Sequence, residues 1–167
     1  MKKIKFSSNK IGWGIVLLGL VIIAVLTVVL FAVPSKNSEP MAIKAYFGNK
    51  DLDSGISCGK VFPVERTVPK TKATARAAIQ ELLKGTLSDE LDSGYFTSIG
   101  PGVKIQSLKI DNGTAYIDFN KTLEEGVGGS CRVSAIRAQI TETLKQFPTV
   151  QNVVISIDGR TEDILQP

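Results

Sequence analysis

The chain has 167 residues, with 20 Lys and Arg against 16 Asp and Glu, and it contains no histidine. That length holds one domain of ordinary size plus a segment outside it. Without histidine the chain lacks the commonest general base, the usual Ser-His-Asp and Cys-His arrangements, and the chemistry of most zinc sites.

Residues 1–10 form a basic tail with Lys2, Lys3, Lys5 and Lys10 and no acidic residue. Residues 11–33 carry no charge, and Thr27 is their only plainly polar side chain. These 23 residues make about 34 Å of helix, enough to cross a hydrocarbon core of about 30 Å. The run exceeds the apolar stretch of about 7–15 residues typical of a signal peptide, and Pro34 spoils a cleavage site. It reads as an uncleaved transmembrane helix, with the lipid bilayer as its partner. The tail lysines hold the N-terminus in the cytoplasm and send the remainder across the cell membrane. Trp13 suits the interfacial aromatic belt.

The basic balance therefore belongs to the tail. Beyond Val33, 16 basic residues face 16 acidic ones. A formally neutral domain without a basic run argues against nucleic acid as a partner.

Residues 34–40, bracketed by Pro34 and Pro40, read as a linker of at most about 20 Å, with residues 41–167 as the outer domain. Ile43 to Phe47 reads as a first strand, followed by a polar loop from Gly48 to Lys60. Val61 to Val68 is a second strand, which Pro63 marks as an edge. Thr71 is expected to cap a helix whose apolar stripe is Ala75, Ala78, Ile79, Leu82 and Leu83, and Gly85 ends it. Leu87 to Gly102 reads as a long connection turned by Ile99-Gly100-Pro101-Gly102.

Val103 to Ile110 and Thr114 to Phe119 form a hairpin about Asn112-Gly113, a strong tight-turn signal. The apolar phase of the first of these strands slips between Ile105 and Leu108, which predicts a bulge near Ser107. A glycine-rich loop, Asn120 to Ser130, precedes a second helix over residues 131–146, marked by Val133, Ile136, Ile140, Leu144 and Phe147. Ser130 is its expected N-cap, and Pro148 stops it. Asn152 to Asp158 is the last strand. The simplest burial of these elements is an α+β two-layer sandwich, two helices on one face of a small mixed β-sheet, preceded by the transmembrane helix.

Cys58 and Cys131 both fall in the outer domain, where an oxidising compartment favours one disulfide. A reactive thiol pair is the weaker reading, because there is no C-x-x-C spacing and no histidine to activate a thiolate. No phosphate loop, dinucleotide fingerprint or metal-ligand pattern appears, so no cofactor is expected. Asp118, Glu124 and Glu125 are the only route to a carboxylate mechanism. Their predicted positions, on an outer strand face and in a solvated loop, speak against catalysis.

In order along the chain stand Ile43-Lys44-Ala45-Tyr46-Phe47, Glu81-Leu82-Leu83-Lys84-Gly85, the turn at Ile99 to Gly102 and Asn112 to Phe119. Gly129 and Val153 to Gly159 complete the series. Through these pieces residues 42–160 resemble the GerMN domain family of sporulation and spore-germination envelope proteins. Gly100, inserted between Ile99 and Pro101, and the two cysteines depart from the family pattern, and one copy of the domain is present. The resemblance implies a membrane-anchored extracytoplasmic module associated with building envelope complexes, with no catalytic residues to carry over.

The expected function is thus non-enzymatic: binding of an envelope protein, or self-association, through a sheet edge or helix face. The alternative is a binding module for cell-wall glycan or peptide. It would use the loop carrying Glu124, Glu125, Gly128, Gly129 and Arg132 together with the Ser93 to Gly102 connection.

Overall fold

The structure is a computed structural model and describes residues 39–53 and 57–166. The chain divides into two units, Met1–Ser38 and Glu39–Pro167, of which the second is described below. The expected tail, membrane span and nearly all of the linker lie outside the described residues. Among the described residues no helix is long and apolar enough to cross a membrane.

The second unit starts with β1 (Pro40–Asn49), which pairs antiparallel with β2 (Phe62–Pro69) from Pro40↔Pro69 to Phe47↔Phe62. Both strands outrun their apolar cores because the ladder carries polar and proline residues with it. α1 (Thr74–Leu83) and a short α2 (Ser88–Asp92) follow, then β3 (Tyr95–Phe96), which pairs with Gly48 and Asn49 of β1. β4 (Ile105–Asp111) and β5 (Thr114–Phe119) make the expected hairpin, with Asn112 and Gly113 both at positive φ. A 3₁₀ turn (Lys121–Leu123) and α3 (Ser130–Lys145) lead to β6 (Asn152–Ile157), which lies parallel to β5. A helical crossover is what a parallel pair requires.

Among the described residues, the single sheet expected from the sequence is instead two three-stranded sheets, β2-β1-β3 and β4-β5-β6, and three helices stand where two were expected. The reason lies on the second edge of β1. There Tyr46 N donates to Thr143 Oγ1 at 3.0 Å, Lys44 N donates to Gln146 Oε1 at 2.9 Å, and Gln146 Nε2 donates to Lys44 O at 2.6 Å. Side chains of α3 and of the residue that caps it thus satisfy the backbone groups of Lys44 and Tyr46 that another strand would take, which leaves Gly48 and Asn49 to pair with the short β3. α2 lies inside the predicted connection, and its signal was the acidic first turn of Asp89 and Glu90. Glu90 Oε2 accepts the Leu87 N–H at 2.7 Å, which closes the N-terminus of that helix.

Two capping expectations change. α1 starts after Ala73 rather than Thr71, whose Oγ1 accepts from Ala73 N at 3.1 Å. The N-cap of α3 is Gly129 at φ 85°, and Ser130 is the first helical residue. The left-handed conformation at Gly129 turns the loop into the helix without a side-chain cap.

The bulge is where the phase slip placed it, between Ile105 and Ser107. Gln106 is the extra residue, so Ile105 faces Phe119 while Leu108 faces Ile117. β2 is an edge strand, as Pro63 suggested. The principal core joins Ala45 and Phe47 of β1, Ile79 and Leu82 of α1, Ile117 and Phe119 of β5, Ile136, Ile140 and Leu144 of α3, and Ile157 of β6. Ile43, Val68 and Ala78 form a smaller cluster beside it.

Candidate functional site

At the end of β1 three elements converge. Asn49 is buried although polar. Its Oδ1 accepts the N–H groups of Asp51 and Leu52, each at 2.9 Å, while Nδ2 donates to Ser93 O at 3.0 Å. This Asx-type turn holds Lys50 and its neighbours against the β3 segment. Phe96 lies over Gly48, where an added Cβ would come within 2.4 Å of the ring, so only glycine permits the approach.

From the other side, buried Gln139 of α3 fixes the segment after β3. Its Nε2 donates to Phe96 O at 3.3 Å, and its Oε1 accepts from Ser98 N at 3.2 Å and Thr97 Oγ1 at 3.3 Å. The third element arrives covalently. Cys58 and Cys131 form the expected disulfide, with Cα atoms 4.8 Å apart, and tie the segment before β2 to the first turn of α3.

Between these elements lies a cleft of about 590 Å³. Phe96, Val61, Ala135 and the disulfide supply apolar wall, and Lys50, Lys60 and Arg132 bring three cations to it. Asp53, the one carboxylate lining the cleft among the described residues, accepts from Ser57 Oγ at 2.8 Å and lies 4.0 Å from Lys60 Nζ. Arg132 is held by two carbonyls: Nε donates to Ser98 O at 3.3 Å and Nη1 to Gly126 O at 3.0 Å.

Arg132 therefore joins the two segments singled out in the sequence, the glycine-rich loop and the Ser93 to Gly102 connection. The other loop residues are placed differently. Glu124, Glu125, Gly128 and Gly129 are absent from the cleft lining. Glu124 pairs with Arg160, and Glu125 lies 3.2 Å from Lys121 Nζ. Asp118 Oδ1 accepts from Ser156 Oγ at 2.6 Å and Gly159 N at 2.9 Å, so it anchors the turn after β6. Among the described residues no group of three or more Cys, Asp or Glu is placed to hold a metal ion.

Sequence reasoning missed Lys50 and Lys60 as cleft residues. Lys60 had a signal, because a Cys58–Cys131 bond must carry its near neighbour to α3. Phe96 lies within the Ser93 to Gly102 connection named from the sequence, but its own place depends on the pairing of β3 with β1.

A second surface is the outer edge of the β4–β5–β6 sheet. β4 has β5 on one side and, among the described residues, no strand on the other. Ile110 and Tyr116 beside it are 38% and 47% exposed. Lys109 Nζ donates to Asp111 at 2.8 Å, and this bond, with the charge of Asp111, raises the lysine pKa above its ordinary value.

These features define the class: an α+β domain of two small sheets, closed by one disulfide beside a cationic, apolar-walled cleft. The chain belongs to the family described as "Germane: Sporulation and spore germination", whose model matches residues 44–163. Its fold is similar to the first GerMN domain of the sporulation protein GerM from Bacillus subtilis, with 24% identity, a TM-score of 0.57, and coverage of 72% of this chain and 85% of that one. It is also similar to the tandem GerMN domains of GerM, with 22% identity, a TM-score of 0.61, and coverage of 77% of this chain and 43% of that one. At these identities the likeness is one of fold. No curated protein matches the sequence. The GerMN resemblance drawn from the sequence is correct.

Proposed function

We propose that the protein is a single-pass, membrane-anchored module whose extracytoplasmic domain binds an envelope protein, or a second copy of itself, without turning over a substrate. The observation that supports it best is the open edge of β4. Its row of backbone donors and acceptors is the surface to which another chain adds a strand. The other sheet contrasts with it, since β2 carries Pro63 and Pro69 and the second edge of β1 is covered by Thr143 and Gln146. The bulge at Gln106 leaves Ser107 to Asp111 as the regular stretch for pairing. The family description, sporulation and spore germination, fits an envelope role of this kind.

The test places a photo-crosslinking residue at Tyr116 of the full-length protein in its native membrane. One discrete adduct, weakened by Ile110→Ser, is expected. If no adduct forms, or if the same adduct forms from a crosslinker at Glu162, the edge is not an interface.

A second reading is a binding module for cell-wall glycan or peptide, and the bridge that Arg132 makes between the two predicted loops favours it. Saturable retention of the full-length protein on purified cell wall, lost with Arg132→Ala, is the expected result.

A further inference from the structure

We infer that the cleft beside the disulfide receives the carboxylate end of a short peptide whose last side chain is apolar. This deepens the second, ligand-binding reading and is independent of the β4 edge. The argument begins with charge. Lys50, Lys60 and Arg132 come from three separate segments, and Asp53, the acid among the described lining residues, offsets one of them, Lys60, and accepts from Ser57. An excess of positive charge around a cleft favours an anion there.

The walls then decide which anion. Phe96, Val61, Ala135 and the disulfide offer apolar surface that a bare phosphate or a polyanion would leave unused. A neutral sugar would leave the cations unused. A free α-carboxylate next to an aliphatic side chain uses both, with the charge on the basic rim and the side chain against Phe96. The volume of about 590 Å³ lies in the range of ligand-sized pockets and suits a few residues rather than a globular face.

The cleft is also preorganised. Asn49 fixes the turn that carries Lys50, and Gln139 fixes Phe96 and Ser98. Two carbonyls orient Arg132, and the disulfide holds the Lys60 segment to α3. Groups held in place lose little freedom on binding. The position is suitable too. β1 carries the chain from Pro40 to Asn49, about 30 Å at 3.3 Å per residue, so the cleft lies at the end of that strand opposite to chain entry.

The test titrates the full-length protein in detergent micelles with a fluorescent peptide ending Gly-Ala-Leu, as the free acid and as the C-terminal amide. The acid is expected to bind saturably and the amide about tenfold more weakly, since a charge-assisted hydrogen bond is lost. Lys60→Gln and Arg132→Gln are each expected to weaken the acid several-fold and to flatten its salt dependence, with unchanged thermal unfolding as the folding control. Replacing the terminal Leu by Asp is expected to reduce binding as well. Equal binding of acid and amide, or variants that bind like the parent, would overturn the inference. Retention on cell wall without peptide binding would leave the ligand reading standing and remove the peptide carboxylate from it. Loss of both would remove the two together.

Discussion

Arg66 Nη2 lies 2.5 Å from Glu90 Oε2, and both side chains are nearly closed off from solvent. The same nitrogen donates to Gly85 O at 3.0 Å, Nη1 lies 3.7 Å from Glu81 Oε2, and the guanidinium sits 5.6 Å from the centroid of the Phe47 ring. One buried cation thus joins β2, the end of α1, α2 and the core.

Arg66→Met leaves the buried Glu90 without its cation, while Glu81 keeps Lys84, so a loss of about 3–5 kcal/mol is expected in urea unfolding. Glu90→Gln, which keeps a hydrogen-bonding oxygen, is expected to cost less. A loss below about 1 kcal/mol for Arg66→Met would mean that the group behaves like an exposed ion pair.

Thr143 Oγ1 takes the Tyr46 N–H at the covered edge of β1. Thr143→Val preserves shape but orphans that donor, with an expected cost of about 1–3 kcal/mol. Thr143→Ser is expected to cost clearly less. Faster hydrogen exchange at Tyr46 in the valine variant reads the same event locally.

The disulfide closes a loop with a sequence separation of 73. On the chain-entropy model its removal costs about 4 kcal/mol, less if the unfolded chain stays compact. Thermal unfolding of Cys58→Ser/Cys131→Ser, compared with the parent with and without reductant, checks this. An unchanged midpoint in all of them would contradict it.

Gly94 has φ of 83°, and a Cβ there would come within 2.2 Å of Asp51 Oδ2. Gly94→Ala is expected to cost about 1–2 kcal/mol from the left-handed backbone, plus a steric part. Asp51→Ala in the same chain should remove only the steric part, so the double variant recovers some of the loss in chemical denaturation.

The proposed topology rests on Lys2, Lys3, Lys5 and Lys10. In intact cells with an accessible membrane surface, added protease should digest the domain of the parent protein. Replacing all four lysines with Glu should leave a large share of the molecules protected, because the positive-inside bias is gone. Equal digestion of both would show that the tail does not set orientation.

Much of the fold is legible in the sequence. The Asn112-Gly113 hairpin, the bulge beside Ser107, the edge character of β2 and the apolar faces of α1 and α3 all follow from patterns within a few residues. α2 was missed because a helix of five residues is too short to show periodicity. Of the candidate site, the Cys58–Cys131 bond was legible in the cysteine count, whereas the ion pairs of Glu124 with Arg160 and of Glu125 with Lys121 were not. Ion pairing across a fold depends on which segments meet, and residue type alone does not carry that.

By itself, then, the sequence determined the family, the neutral charge balance beyond Val33, most strands and helices, and the pairing of its two cysteines. The family came from the resemblance of its ordered motifs, and composition, short-range periodicity and a cysteine count are enough for the rest. Only the tertiary structure decided that the sheet divides in two, because Lys44 and Gln146 stand 102 residues apart and their hydrogen bonds replace a strand ladder. It likewise decided the cleft, where Lys50, Phe96 and Arg132 meet only after β1, β3 and α3 have packed.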